Sequence, residues 1–145
     1  MDPYTIFADI IAGRATASTV YEDDDVLAFM DIRPMTPGHL LVVPKVAARS
    51  LAELDPAIGG KLFQVGQQLA AALRVSEVGC DGVNFFLADG VTAGQEVFHV
   101  HLHVIPRMPG DGFGLRGRPT SPKRADLDYL AGSIRGALGR SAQAS

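Results

Sequence analysis

The spacing of apolar residues along the chain switches between helical and strand periodicity and predicts an α+β domain. Residues 56–75 carry apolar side chains at helical spacing behind an Asp55–Pro56 pair, which is typical of a helix start. Shorter helices are predicted at residues 3–12 and 126–138. Strands are predicted at residues 19–22, 26–32, 39–44, 83–88 and 98–105. The hairpin-like order of these strands indicates a mainly antiparallel sheet.

Composition narrows the class of protein. The chain has 145 residues, 47% of them hydrophobic, which fits one folded domain. We expect a core at residues 1–106 and a C-terminal extension at 107–145, with the terminal helix, as part of the same domain. A net charge of −3 argues against a dedicated nucleic-acid binder. No apolar run is long enough to span a membrane, so we expect no membrane partner. No signal peptide is evident, so we expect a cytoplasmic protein.

Three of the four histidines occupy alternate positions of the segment FHVHLHVIP. Side chains of a strand alternate between its faces, so His99, His101 and His103 are predicted to share one face, with the intervening apolar residues in the core. The residue types leave three interpretations open. They are chance packing, a metal site completed by His39 or Glu96, and nucleophilic or acid–base chemistry.

A glycine-containing segment, residues 89–95, directly precedes these histidines. Consecutive main-chain amides in such a turn can hold an anion, although a plain hairpin loop is an equally simple interpretation. A phosphate held there would lie beside the imidazoles. An uncharged imidazole attacks phosphorus readily near neutral pH, and the middle residue, His101, has a histidine on each side. The pattern therefore favours phosphoryl chemistry on a nucleophilic His101.

Several segments together resemble the histidine-triad (HIT) family. AGQEVFHVHLHVIPR contains the alternating histidine motif of that family, and TIFADIIAG and VLAFMDIRPMTPGHLLVVPK are similar to its other blocks, in the same order. The resemblance covers about residues 4–107. It implies a HIT-like fold with a five-stranded antiparallel sheet per chain, a long helix and shorter terminal helices. It also implies a homodimer whose two sheets join into ten strands.

The resemblance further implies an activity and assigns roles to the histidines. Family members hydrolyse or transfer nucleotides at the α-phosphate of small nucleoside phosphate derivatives, such as dinucleoside polyphosphates or adenosine phosphoramidates, through a nucleotidyl-histidine intermediate. By position in the motif, His101 would be the nucleophile and His103 would lie near the leaving group. The backbone at His99 would orient His101, and His39 would complete the cluster.

The same resemblance predicts the nucleotide-binding residues. Asp31 would bind the ribose hydroxyls, although an Asp that caps a turn is the simpler interpretation of that residue. The residues expected around the base, which ordinary core packing would also explain, are Phe7, Ile10, Phe29, Ile32 and Leu41. The residues expected in the phosphate loop are Gly94, Gln95, Glu96 and Val97.

Two departures from the family pattern limit these expectations. Some bacterial members bind zinc through a Cys-x-x-Cys pair, but this chain has Thr5 and Ala8 there. We therefore expect no bound metal and no required cofactor, apart from a divalent cation accompanying a polyphosphate substrate. Members commonly place Asn or Gln before the phosphate loop, where this chain has Ala88, and Asn84 on the same strand is a poor substitute.

Two alternatives to the nucleotide hydrolase or transferase follow from these residues. The loss of an amide donor at Ala88 suggests a nucleotide-binding regulatory protein with little turnover. A metal-dependent hydrolase built on His39, His99 and His101 is the other. The sequence does not fix the physiological substrate, the leaving group, the base preference or the role of residues 107–145.

Overall fold

The structure, a computed structural model, describes the backbone of residues 1–144 and the side chains of residues 1–141. Its elements in chain order are α1 (Ile6–Ile11), β1 (Thr19–Glu22), β2 (Val26–Met30), β3 (Leu40–Pro44), α2 (Pro56–Val75), β4 (Gly82–Phe86), a 3₁₀ turn (Val91–Ala93), β5 (Leu102–Arg107) and α3 (Arg124–Ala144). The chain forms two compact units, one of residues 1–113 and one that starts at Gly114 and contains α3. No helix in the described part of the chain has the length and apolar character needed to cross a membrane.

The five strands form one antiparallel sheet in the order β1-β2-β3-β5-β4, which confirms the predicted five-stranded sheet. The histidine strand β5 lies inside the sheet, between β3 and the edge strand β4. His103 of β5 is paired with Leu41 on one side and Phe86 on the other. Both neighbouring strands therefore fix the position of this histidine.

Each face of the sheet carries its own apolar cluster. The first lies between the sheet and α2 and includes Val100, Leu102 and Val104. The second lies under α1, on residues that alternate with those of the first along β2 and β3. It consists of Phe7, Leu27, Phe29, Leu41 and Val43. The predicted alternation of the histidine segment is thus confirmed, because its intervening apolar residues enter the core beneath α2.

Several element boundaries differ from the predictions, for identifiable reasons. Strand β5 begins at Leu102 rather than residue 98, because the main-chain N–H of Phe98 donates to Pro3 O and that of Val100 donates to Ala48 O, outside the sheet. Helix α1 begins at Ile6 rather than residue 3. Helix α3 extends beyond the predicted residues 126–138 at both ends, since an interior glycine costs a helix only about 1 kcal/mol.

Helix α2 packs closely on the sheet at Gly66. A Cβ atom added there would lie 3.0 Å from Cζ of Phe85 and 3.2 Å from Cδ2 of Leu102. Gly60 of the same helix is exposed, and a Cβ there would meet nothing within 4 Å. The absence of a side chain at Gly66 therefore sets the distance between α2 and the strand that carries His103.

We expect Gly66→Ala and Gly60→Ala to change stability in opposite directions. Both substitutions gain about 1 kcal/mol of helix propensity. In Gly66→Ala this gain is outweighed by overpacking against two sheet residues, which destabilises by about 1–3 kcal/mol. Urea unfolding followed by circular dichroism measures both free energies of unfolding. Equal stabilisation in the two variants would show that the contact at Gly66 is not tight.

Candidate active site

The fold brings the rings of His39, His101 and His103 into one cluster, and His99 touches it through its carbonyl oxygen. The ring centroids of His101 and His103 are 4.9 Å apart, and those of His39 and His103 are 5.0 Å apart. His39 reaches the cluster because it directly precedes β3, which pairs with β5. His39, His99 and His101 are buried, whereas His103 is half-buried. The predicted clustering of these residues is therefore present in the structure.

One main-chain contact fixes the protonation pattern of His101. Its Nδ1 lies 2.7 Å from the carbonyl oxygen of His99, which can only accept a hydrogen bond. The neutral ring must then carry its hydrogen on Nδ1, so Nε2 keeps an unshared electron pair. In this tautomer His101 presents a nucleophilic nitrogen.

His39 and His103 form a second hydrogen-bonded chain. The main-chain N–H of Met35 donates to Nδ1 of His39 over 3.1 Å, so a neutral His39 carries its hydrogen on Nε2. That nitrogen lies 2.8 Å from Nδ1 of His103 and donates to it. The hydrogen of a neutral His103 is consequently on Nε2. His103 can therefore act as a hydrogen-bond donor to a group bound beside His101.

The side chain of His99 is bonded to the backbone of a neighbouring strand. Its Nε2 donates to the carbonyl oxygen of Pro44 over 2.8 Å. Its ring packs edge-on against Phe7, with centroids 5.8 Å apart, and Phe7 also contacts the ring of His101 at 5.1 Å. These contacts hold the His99 carbonyl in place, which agrees with the expectation that the backbone here orients His101.

Burial keeps the cluster uncharged. Desolvation lowers the pKa of His39, His99 and His101 below the ordinary value of 6.5. It also lowers the pKa of His103 to about 4, and the neighbouring His101 and His39 contribute to that shift. The free protein therefore holds neutral imidazoles near pH 7, so His103 is a neutral hydrogen-bond donor at that pH and not an imidazolium.

Asp31 makes the turn-capping contact and also lies beside the histidine cluster. Its Oδ1 accepts a hydrogen bond of 2.8 Å from the main-chain N–H of Arg33, which is the turn-capping contact. Its Oδ2 lies 3.6 Å from Nε2 of His39 and faces the histidine cluster. One carboxylate oxygen thus shapes the loop, while the other is available beside the site.

The described residues group Asp31, His39 and His103 as possible metal ligands, with donor atoms within 4.8 Å of one another. The hydrogen-bond pattern does not fit a metal ion there. Nε2 of His39 carries a hydrogen because Nδ1 accepts from Met35, so it has no electron pair for a metal. Nor does the structure assemble the alternative set of His39, His99 and His101, because His99 is bonded to Pro44.

The phosphate loop is held by the side chain of Gln95, which is buried. Its Oε1 accepts from Gly90 N over 2.8 Å, and its Nε2 donates to Arg49 O over 2.9 Å and to Val97 O over 3.1 Å. Gln95 therefore shapes the loop, and its amide has no hydrogen left for a ligand.

The main-chain donors of the loop differ from the expected nest. The N–H groups of Ala93, Gly94 and Gln95 are used in hydrogen bonds within the loop. Those of Glu96 and Val97 donate none within the described residues. Of the unused amides in this segment, those of Glu96 and Val97 are nearest the histidines in the chain, while the side chain of Glu96 is exposed.

The expected base-binding residues divide into two groups. Phe7, Phe29 and Leu41 are buried in the second apolar cluster, and Ile10 packs against them. Ile32 lies outside that cluster and is 72% exposed. The cluster forms an apolar floor on the α1 side of the sheet, and Ile32 does not contribute to it.

Some contributors were not predicted from the sequence. Met35 and Pro44 act through main-chain atoms, which side-chain motifs do not reveal. Phe86 places its ring 5.6 Å from that of His103, a contact that the pairing of the last two strands could have indicated. Ala88 is buried and offers no side-chain donor. Asn84 is paired with Ile105 rather than with a histidine, and its Oδ1 accepts from Arg107 over 2.7 Å.

The fold and the histidine cluster define the class of histidine-triad proteins, and comparison with known proteins gives the same result. A model of the HIT domain matches residues 12–110, about two thirds of the chain. The chain belongs to the HIT family.

Relatives and solved structures support this membership. The chain is 46% identical over 112 residues to an uncharacterized HIT-like protein of Borreliella burgdorferi, covering 77% of this chain and 81% of that protein. It is 34% identical over 106 residues to adenylylsulfatase HINT3 of Arabidopsis thaliana, covering 73% of this chain and 53% of the relative.

Among solved structures, a HIT family protein from Bacillus anthracis superposes with a TM-score of 0.85 at 38% identity, covering 91% of this chain and 95% of the other. A Zn-bound histidine triad family protein from Mycobacterium smegmatis has a TM-score of 0.73 at 39% identity, covering 97% and 96%.

We expect nitrogen-detected NMR of the histidine rings at pH 7.5 to show two tautomers. His101 should carry its hydrogen on Nδ1, and His39, His99 and His103 should carry theirs on Nε2, because each ring has a fixed partner. Long-range ¹H–¹⁵N correlation distinguishes these states. The same spectrum in urea serves as the control for unconstrained rings. A hydrogen on Nε2 of His101 in the folded protein would contradict the assignment.

Proposed function

We propose that this protein is a nucleotide hydrolase or nucleotidyl transferase that acts at the α-phosphate of nucleoside phosphate derivatives through a nucleotidyl-His101 intermediate. The observation that supports this most directly is the hydrogen bond from Nδ1 of His101 to the His99 carbonyl, which leaves Nε2 unprotonated. Dinucleoside polyphosphates and adenosine phosphoramidates both contain the required phosphorus centre. A relative named as an adenylylsulfatase is consistent with this class of substrate.

The proposed reaction has two displacements at phosphorus. Nε2 of His101 forms a bond to the α-phosphorus, and the bond to the leaving group breaks with its electron pair on that group. Water, or another acceptor, then attacks the same phosphorus and releases the nucleotide from His101. Hydrolysis yields a nucleoside monophosphate, and the proton lost by water balances the one that the leaving group takes up.

The surrounding residues supply binding and positioning in this proposal. The N–H groups of Glu96 and Val97 donate to phosphoryl oxygens, where preformed donors stabilise the charge that develops in the transition state. The Nε2–H of His103 donates to the leaving group. Asp31 binds the ribose hydroxyls through Oδ2, and the base lies against the apolar floor near Ile10 and Ile32.

The reaction as proposed uses no protein-bound metal and no cofactor. The hydrogen on Nε2 of His39 disfavours a metal in the cluster, and Thr5 and Ala8 offer no thiolates. A divalent cation enters only with a polyphosphate substrate, whose charge it neutralises.

We further propose that the protein acts as a homodimer joined through β4 into a ten-stranded sheet. Strand β4 is at the edge of the sheet, with one side unpaired among the described strands. Unpaired edges favour association with another strand. Phe86 of this strand is 42% exposed although its ring contacts His103, so a partner at this edge would border the site.

A second candidate is a nucleotide-binding regulator with little turnover. The observation that favours it is the buried Ala88, which lacks the amide donor expected at this place. Removing one hydrogen-bond donor that stabilises a transition state lowers kcat by about 10²–10³-fold in known enzymes. Measurement of AMP release distinguishes this candidate from the enzyme, because a regulator would bind nucleotide without releasing product.

We expect His101→Ala to lower AMP release by at least about 10³-fold, since the substitution removes the attacking nitrogen. AMP formed from adenosine 5′-phosphoramidate and from diadenosine tetraphosphate is measured by ion-exchange chromatography. Labelled wild-type protein quenched in alkali should carry nucleotide on histidine, because phosphohistidine bonds survive base.

Circular dichroism is the control for folding of the His101→Ala variant. Near-normal turnover in a folded variant would refute the mechanism. Tight AMP binding by wild-type protein without turnover of either substrate would favour the regulator.

We expect kcat/KM to stay constant from pH 8 down to 6.5 and to fall only at lower pH. Burial lowers the pKa of His101 below its ordinary value of 6.5. The hydrogen bond to His99 and the carboxylates of Asp31 and Glu96 offset only part of this effect. The attacking imidazole therefore becomes protonated only below pH 6.5. Initial rates at low substrate concentration give the profile. An acid limb centred above pH 6.5 would show that His101 is not desolvated as described.

A further inference from the structure

We infer that the C-terminal helix α3 docks in an apolar groove of a second copy of this chain, so that two copies exchange their helices. The inference adds a contact to the proposed homodimer and rests on that association, not on the chemistry of His101. The two copies would recognise each other through an apolar stripe on α3 and through opposite charges.

Helix α3 carries an apolar stripe along one face. The stripe consists of Leu127, Leu130, Ile134 and Leu138, whose spacing of three or four residues places them on one side of the helix. Their exposed fractions range from 38% to 63%. Contiguous exposed apolar residues of this kind are typical of a surface that binds another protein surface.

The composition of α3 makes such packing necessary for its helical structure. Gly132, Gly136 and Gly139 lie within the helix, and glycine is among the poorest helix formers. Most of the stability of a helix in a protein comes from the packing of its amphipathic face rather than from propensity. A helix with three interior glycines and an exposed stripe therefore requires a surface to pack on.

The chain offers an apolar groove beside α2. The groove has a volume of about 150 Å³, and cavities of this order admit a ring of the size of benzene. Leu62 and Leu102 line it and are buried, whereas Leu51 and Phe63 line it and are 46% and 55% exposed. Leu87, another lining residue, directly follows β4, so the groove borders the edge strand through which the homodimer is proposed.

The two units of the chain carry opposite charge. Residues 1–113 contain seven Lys/Arg and fourteen Asp/Glu, a net charge of −7. Residues 114–145 contain six Lys/Arg and two Asp/Glu, a net charge of +4. Complementary charges steer association, and like charges oppose it. A groove on the acidic unit of a second copy therefore suits α3 better than the α3 of that copy does.

The same complementarity holds locally. Glu53 and Asp55, on either side of Leu54 in the chain, are exposed and form no ion pair within the described residues. Arg124 and Arg135 are eleven residues apart, which places them on the same side of α3, next to the stripe. They too are exposed and have no ion pair in the part of the chain that the structure describes. Charges of both signs are thus available for the rim of the contact.

The segment before α3 is long enough for an exchange of helices. Residues 114–123 form no helix or strand, and ten residues extend to at most about 33 Å. The stripe and the rim of the groove are both exposed in one chain, so each is available to a second copy. Exchange in both directions occupies each groove with one helix, which closes the assembly at two copies.

Hydrogen exchange of the α3 amides tests the docking, with Phe63→Asp and Gln64→Asp as a matched pair. Both residues are exposed on α2, but only Phe63 lines the groove. We expect Phe63→Asp to lower the protection of residues 127–138 at least about tenfold and Gln64→Asp to leave it unchanged. Dilution of wild-type protein should also lower it, because docking on a second copy depends on concentration. Protection that is independent of concentration, or equal in the two variants, would overturn the inference.

Disulfide trapping identifies the occupant of the groove. In a Cys80→Ser background, Ile134→Cys protein is mixed with Phe63→Cys protein. Tyr129→Cys protein is the control, because Tyr129 is exposed on α3 but lies outside the stripe. We expect a disulfide between the two different chains with Ile134→Cys and at least about tenfold less with Tyr129→Cys, since the bond requires close and specific geometry. Disulfides mainly between two Ile134→Cys chains would show that two α3 helices pair, which would overturn the inference.

Light scattering after size-exclusion chromatography separates the exchange of helices from the proposed homodimer. We expect a dimer whose α3 amides are protected. A dimer with unprotected α3 amides would overturn the exchange and leave the association through β4 intact. A monomer at every concentration would overturn both, and the proposed chemistry of His101 would still be judged by AMP release alone.

Discussion

The arrangement of the site depends on the hydrogen bond between the His101 ring and the carbonyl of His99, two residues earlier. A neutral imidazole has one nitrogen with a hydrogen and one with an electron pair, and this contact decides which is which. The carbonyl can take this position because His99 precedes β5 in a bend and is anchored to Pro44 through its own ring. The nitrogen of His101 that keeps an electron pair is thus defined by backbone geometry rather than by an acidic partner.

The two faces of the sheet divide the structural and chemical roles. Val100, Leu102 and Val104 bind the strand to α2, while His101 and His103 occupy the positions between them. Gly66 allows α2 to approach the sheet closely, so the helix packs on the face of the histidine strand that points away from the histidines. The face that carries the histidines also carries Phe7, which contacts both His99 and His101 and links α1 to the orientation of the His101 ring.

Periodicity and motif spacing predicted the strands, the long helix and the shared face of the histidines, because these depend on local side-chain alternation. They did not predict the tautomers, because Met35 and Pro44 act through main-chain atoms that sequence does not distinguish. The role of Gln95 was not predicted either: the family resemblance suggests a contact with the phosphate, but the side-chain amide forms the hydrogen bonds that close the loop. The start of β5 was predicted too early since contacts of Phe98 and Val100 outside the sheet decide it.

Four imidazoles held neutral in the interior also influence how the protein responds to acid. Their pKa values in the folded state lie below the value of 6.5 for an unconstrained ring, so the unfolded chain binds more protons once the pH falls below that value. Their contribution to the folding equilibrium is complete above pH 6.5 and is lost progressively toward pH 4, where His103 itself becomes charged. The desolvation that keeps His101 uncharged near pH 7 therefore narrows the range of acidity over which the fold persists.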